Sequence, residues 1–281
     1  IYPLSLHDAL PISTRQHTDR VPYRTHERRG YAGLIASSDI DSYAMAAMFY
    51  PLSYQHVWLT GLPRNDFLTM PDTQLPHYIR DSLDKIRSIK QSKKLIVYAP
   101  TYRQVAVSES AYYYQFSRRE VDLLKAFLRS NNAVLGYRPH YFNNSTEFFN
   151  LDQYIDNELI FDLSHSTVPE FAALARECDV LVTDYSSVYI EALYLNKPVI
   201  CFGYDIEHYR SQQDGLLYDM QLAFPGPVIE AFTQLIPAMQ DSLNATPLQI
   251  EQQQSTAKQL FFKCHDGNNS RRVVEHILQR L

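Results

Sequence analysis

Cysteine is scarce: Cys178, Cys201 and Cys264 are the only three in 281 residues, and their wide spacing offers neither a disulfide framework nor a metal-binding pattern. Two of them sit in or beside apolar runs, as buried thiols of a reducing compartment do. The ten histidines are scattered and form no HExxH-like cluster. Long apolar runs are missing too, and none approaches the roughly 20 residues of a membrane-spanning helix. The mildly apolar start, Ile1 to Ile12, is broken by His7, Asp8 and two prolines and makes no secretory signal. The expected location is therefore cytoplasmic. Basic residues are not in excess: 26 Lys and Arg against 31 Asp and Glu leave a net charge of −5, which excludes a general field for nucleic acid. An anionic polymer or a membrane would need a local basic patch. There are no internal repeats and no low-complexity tracts.

What is present is a globular composition, 45% hydrophobic and 20% charged, in a chain long enough for one large domain or two modest ones. Aromatics are plentiful, with 21 Tyr and 14 Phe beside one Trp. Such residues suit sugar or polyol contacts and equally suit packing. The stretch that organises the chain runs from Val180 to Phe202. Val180 to Thr183 is a short buried strand, Asp184-Tyr-Ser-Ser187 a polar turn, and Val188 to Leu195 a helix. Asn196-Lys-Pro198 stops that helix, and Val199 to Phe202 begins the next strand. A βαβ unit of this kind builds a parallel sheet that binds ligands beyond the strands' carboxyl ends. The turn has no Gly-rich loop, yet two hydroxyls at a helix start can cradle a phosphate or diphosphate. The same residues also fit an ordinary N-cap, with Asp184 as a turn former.

Two more strands deliver polar residues to the same edge. Leu95 to Ala99 leads into Pro100-Thr-Tyr-Arg103, which gives Arg103 the fork geometry and the position to meet phosphate oxygens; a solvated surface arginine is the alternative. Ala133 to Tyr137 leads into Arg138-Pro-His140, and Leu159 to Leu163 is a further strand. Glu191, one turn past Ser187, can face the same cleft or be a solvated helix carboxylate.

Helices flank these strands. Ser117 to Glu120 and Thr167 to Glu170 have the pattern of capping boxes. Leu75 to Ile89 is amphipathic, with Tyr78, Ile79, Leu83, Ile86 and Ile89 near helical spacing, and Asp39 to Tyr50 is a helix capped by Ser37 or Ser38. His56 to Thr60 is a strand candidate, and Val228 to Leu243 a helix. The polar linker Gln91 to Lys94 divides residues 16–92 from a second domain, 93–281. The string Ser5 to Ile12 looks like translated sequencing adapter, so 1–15 is set aside as non-native or disordered; a genuine short arm is the alternative.

Thr183-Asp-Tyr-Ser-Ser187 followed by Leu195-Asn-Lys-Pro198 resembles the hallmark of the CDP-glycerol glycerophosphotransferase family, which makes teichoic-acid-type polymers. Further strings are similar in family order: Gly61-Leu-Pro-Arg-Asn-Asp66, Tyr98-Ala-Pro-Thr-Tyr-Arg103, Arg138-Pro-His140, Tyr204-Asp205 with Tyr209-Arg210, Phe224-Pro-Gly-Pro227, and Asp266-Gly-Asn-Asn-Ser270 before Arg272. The resemblance covers about Trp58 to Ile277. It implies an α/β, GT-B-like transferase, with a Rossmann-type donor domain over 93–281 and a remnant of the acceptor-side domain over 16–92. It further implies that a hydroxyl of a polyol-phosphate or glycan acceptor attacks the glycerol-bearing phosphorus of CDP-glycerol and releases CMP. Arg103, His140, Ser186 and Ser187 would then neutralise the donor's phosphates, and Glu191 and Asp184 would serve the ribose side. No cofactor or metal is implied, and membrane contact would be peripheral, at the inner face.

Departures from the family pattern matter. Tyr141 stands where a second proline is usual, and Asp214 where an arginine is usual. The family's histidine base lies in an H-G-x-x-x-K motif that this sequence lacks; His17, His26, His56 and His77 have other contexts. No catalytic residue is assigned, and a truncated chain that binds CDP-glycerol but transfers poorly or not at all is expected. A transferase using CDP-ribitol or a nucleotide sugar, and a nucleotide-binding scaffold, are the competing readings.

Overall fold

A computed structural model of the chain describes residues 28, 30–49, 52–101, 113–140, 150–212 and 219–280. The segment 1–15, most of the aromatic loop after Thr101, and Asp214 lie outside them. Two compact units are present: unit 1 comprises 1–71 and 255–281, and unit 2 comprises 72–254.

Unit 1 begins with β1 (Leu34–Ala36), which runs into α1 (Asp39–Met48). Ser38 caps α1, its hydroxyl accepting the Asp41 amide, while Asp41 in return accepts from the amide and hydroxyl of Ser37. Burial, opposed by those bonds and by Arg64, raises the Asp41 pKa. Met45 and Phe49 pack with Leu34 and Leu52 beneath the helix. β2 (Val57–Leu59) pairs in parallel with β1, with Ile35 opposite Trp58. β1 was not anticipated from the sequence.

Unit 2 opens with α2 (His77–Lys90), two residues later than expected because Pro76 occupies the cap. Ile79, Leu83 and Ile86 are buried, whereas Tyr78, assigned to that face by spacing, is exposed. There follow β3 (Lys94–Ala99), α3 (Arg118–Ser130), β4 (Ala133–Tyr137), β5 (Ile160–Asp162), α4 (Phe171–Glu177), β6 (Val180–Thr183), α5 (Val188–Tyr194), β7 (Val199–Phe202) and α6 (Ile206–Gln212). The Ser117–Glu120 box forms in full at the start of α3. The Thr167–Glu170 box does not: the Thr167 hydroxyl donates to Asp162, and α4 starts at Phe171 with no side-chain cap. Val228 does not start a helix either. Val228–Ile229 is β8, an edge strand on β7, and the helix is α7 (Phe232–Asn244).

The sheet has the order β5-β4-β3-β6-β7-β8, with every pairing parallel. One face carries Ile96, Tyr98, Leu135, Tyr137, Val180, Val182, Ile200 and Phe202 against α3 and α7. The alternate residues, among them Leu95, Val97, Val134, Leu181 and Val199, are equally buried. Strands apolar on both sides are what a sheet covered by helices on both faces requires. Burial pushes the Cys178 thiol up to about 11, which suits a structural rather than a reactive thiol.

α8 (Pro247–Phe261) starts in unit 2 and ends in unit 1, where α9 (Asn269–Leu278) also belongs. The expected division at 92/93 therefore does not match the compact units: α2 packs with α4 in unit 2, and the C-terminal segment clusters with unit 1. Inside unit 1, two strings some 200 residues apart meet. Asp66 accepts from the Asn269 amide and side chain and from the Ser270 amide, all at 2.8–2.9 Å. Arg272 donates to the Thr60 carbonyl and to both Asp266 carboxylate oxygens. Gly61 sits at φ +73° against Asn269, with no room for a Cβ. Trp58 stacks on His276 at 5.1 Å.

Candidate functional site

Counted from β3, the sheet order of unit 2 is 3-2-1-4-5-6, so the direction of winding reverses between β3 and β6. A crevice opens at such a switch point, beyond the carboxyl ends of the two strands. Asp184 closes its floor. Its Oδ1 accepts from the Thr101 amide at 2.8 Å and the Tyr185 amide at 2.7 Å, and the Thr183 hydroxyl donates to the Ala99 carbonyl at 2.6 Å. With only 1% of its surface exposed, Asp184 joins the two strand ends and shapes the turn. That geometry fits the turn-former alternative, with one carboxylate oxygen turned into the backbone.

Ser186 is buried and Ser187 half-buried, at the start of α5. Ser187 has helical backbone angles and makes no capping hydrogen bond through its side chain. The ordinary N-cap alternative thus does not describe Ser187, whose hydroxyl is not committed to the helix end. Glu191 is half-buried in the first turn of α5, with Oε2 fully enclosed. Asn196, at φ +56°, ends the helix before Lys197-Pro198 as the sequence indicates.

His140 stands three residues past β4 and is half-buried; β4 flanks β3 on the side opposite β6. Its loop is held by Arg138, which donates to the carbonyls of Leu163 (3.0 Å), Val168 and Pro169 (3.2 Å). Burial, partly offset by Glu170 and Asp162, brings that guanidinium down to about 10. Arg138 is therefore the brace of the loop, a role the sequence does not signal. Arg103 lies outside the described residues. The serine turn, with Glu191 in the helix that follows it, and His140 thus come after the ends of the two strands that flank β3.

Sequence reasoning passed over Tyr185. Its hydroxyl donates to Asp205 at 2.9 Å and its ring lies 4.1 Å from that of Tyr209. Burial, reinforced by Asp205 and Asp184, raises its pKa far above the usual tyrosine range. The aromatic residues beside it form a wall: Tyr114 contacts Phe116, Phe202 and Tyr204 at 4.8–5.2 Å between ring centres. Asp152 is half-buried near Asp162, and burial followed by that neighbour's charge lifts it to about 6. No group of three or more acidic, His or Cys side chains among the described residues is arranged to hold a metal.

A doubly wound parallel sheet with polar turns at its switch point gives unit 2 a GT-B-like fold. The family described as CDP-Glycerol:Poly(glycerophosphate) glycerophosphotransferase matches residues 7–279, and the chain belongs to it. It is 30% identical over 223 residues to a teichoic acid poly(glycerol phosphate) polymerase of Bacillus spizizenii, covering 78% of this chain and 52% of that protein. It is 31% identical over 250 residues to a teichoic acid poly(ribitol-phosphate) polymerase of the same organism, covering 89% of this chain and 38% of the relative. The chain thus spans 38% to 52% of the length of these curated relatives. In fold it is similar to the wall teichoic acid polymerase TagF, with TM-score 0.72 and 24% identity over 96% of this chain and 62% of TagF. A further TagF structure, soaked with CDPG, matches with TM-score 0.70 and 23% identity over 96% of this chain and 63% of that one.

Proposed function

We propose that the carboxyl edge of the unit 2 sheet binds CDP-glycerol, as the donor half of a glycerol phosphate transferase acting in cell-envelope polymer synthesis. The observation that carries this reading is the Ser186–Ser187 turn at the β3/β6 switch point of a chain belonging to this family. Ser186, Ser187 and His140, joined by Arg103, donate to the diphosphate, and Glu191 accepts from ribose hydroxyls. An acceptor hydroxyl then attacks the glycerol-bearing phosphorus, the bond to the bridging oxygen breaks, and CMP leaves with its electron pair. The attacking hydroxyl's proton goes to a general base, a role to which no residue of this chain is assigned. These donors neutralise charge that grows on the departing CMP.

The acceptor in this reading is a polyol phosphate or a lipid-linked glycan, and the protein works in the cytoplasm, peripheral to the inner face of the membrane. No helix among the described residues is long and apolar enough to cross a bilayer. The experiment is calorimetric titration of the chain with CDP-glycerol, CDP-ribitol and UDP-glucose. Saturable binding of CDP-glycerol, weakened about tenfold in Ser187→Ala and in His140→Ala, is the expected result, since one charge-assisted hydrogen bond is worth about 1.5 kcal/mol or more. Absence of binding by any of the three overturns it. The identity to a poly(ribitol-phosphate) polymerase favours a second reading, CDP-ribitol as donor, which the same titration separates.

A further inference from the structure

We propose that Tyr185 is a positioning residue for the donor: its bond to Asp205 locks the serine turn after β6 to the loop after β7. The inference rests on the donor-site reading above and adds the device that holds the site in shape. Three contacts fix Tyr185. Its amide donates to Asp184, its ring lies against Tyr209 of α6, and its hydroxyl donates to Asp205. Only the last of these needs an oxygen, because phenylalanine would offer the same ring to Tyr209. The bond satisfies a phenol hydroxyl held largely out of water, and removing that oxygen would leave the Asp205 carboxylate without this donor.

The loop that carries Asp205 is tight. A Cβ placed on Gly203 would lie 3.3 Å from the Tyr185 hydroxyl, so backbone and phenol already run side by side. Tyr204 sends its ring into the wall formed by Phe202 and Tyr114, at 5.3 and 5.2 Å. The loop is thus anchored through consecutive residues, one to the aromatic wall and one to the serine turn. Tyr185 immediately precedes Ser186 and Ser187, so any rotation of its backbone moves both hydroxyls. Its raised pKa keeps the proton on the phenol, which makes it a fixed donor and not a proton carrier.

The test compares the whole chain with Tyr185→Phe. Expected are about tenfold weaker binding of CDP-glycerol at a temperature where both proteins are fully folded, and faster amide exchange at Ser186 and Ser187 without ligand. Two further variants separate positioning from mere stability. The pair Tyr185→Phe with Ser187→Ala should lose less affinity than the two single losses multiplied together, since the phenol acts through the turn. Asp205→Asn, which keeps an acceptor oxygen, should retain more affinity than Asp205→Ala. Tyr185→Phe binding as the wild type does, unchanged exchange, or additive losses in the double variant would each overturn the proposal while leaving the donor site standing. A wild-type chain that binds no CDP-glycerol overturns the donor site itself and this inference with it.

Discussion

At the scale of single residues, chemistry here is decided by partners far away in sequence. The positions of the serines and of His140 were legible because apolar runs mark strands, and polar residues just past a strand lie at its end. The tie from Asp184 to the Thr101 amide and the brace from Arg138 to the carbonyls of residues 163–169 were not, because backbone groups carry no signature in a sequence. Asp152 gives a sharp prediction. Its ordinary carboxyl pKa of 3.8 is raised to about 6, so folding favours its protonated form. The native state therefore loses stability as pH rises from about 4 through about 6. Asp152→Asn should unfold like the wild type at pH 3.5 and be more stable at pH 7. Half exposure limits the gain to about 1 kcal/mol. Urea unfolding at the two pH values checks it, and an equal difference at both would contradict the cause.

Elements with local signals were legible, and those defined only by their neighbours were not. The Ser117–Glu120 box closes both of its bonds, and Asn132 and Asn196 end their helices in left-handed conformations. The two- and three-residue strands β8 and β1 have no such mark, since a strand that short exists only by pairing. Thr167 shows the converse failure, where a correct pattern lost its hydroxyl to Asp162. The strings Gly61–Asp66 and Asp266–Arg272, singled out as family markers, form one clasp around the start of α9. Asp66→Ala would leave the buried Asn269 amide and side chain and the part-buried Ser270 amide without their acceptor. It should destabilise unit 1 by about 3 kcal/mol. Asp81→Ala, on the exposed His77–Asp81 pair of α2, should change stability by under about 0.5 kcal/mol. Similar values for both in chemical denaturation would refute the clasp.

Over the whole molecule the chain leaves unit 1 after Pro71 and returns at Ser255. A linear reading placed one boundary at a polar linker and missed the return, which composition does not record. Each unit has its own buried cluster, around Met45 and Phe49 in one and around Tyr137 and Phe202 in the other. Two separate transitions are expected in scanning calorimetry, with CDP-glycerol raising that of unit 2. A single transition that moves as a whole would count against independent cores. The lone tryptophan has a bearing on this. Trp58 lies in unit 1, stacked on His276 and covered by the Arg280 guanidinium at 4.5 Å. Intrinsic fluorescence excited at the indole band is therefore an optical channel for that unit alone, silent about the sheet of unit 2. A red shift of emission marks the moment when α9 leaves β2, with no label attached.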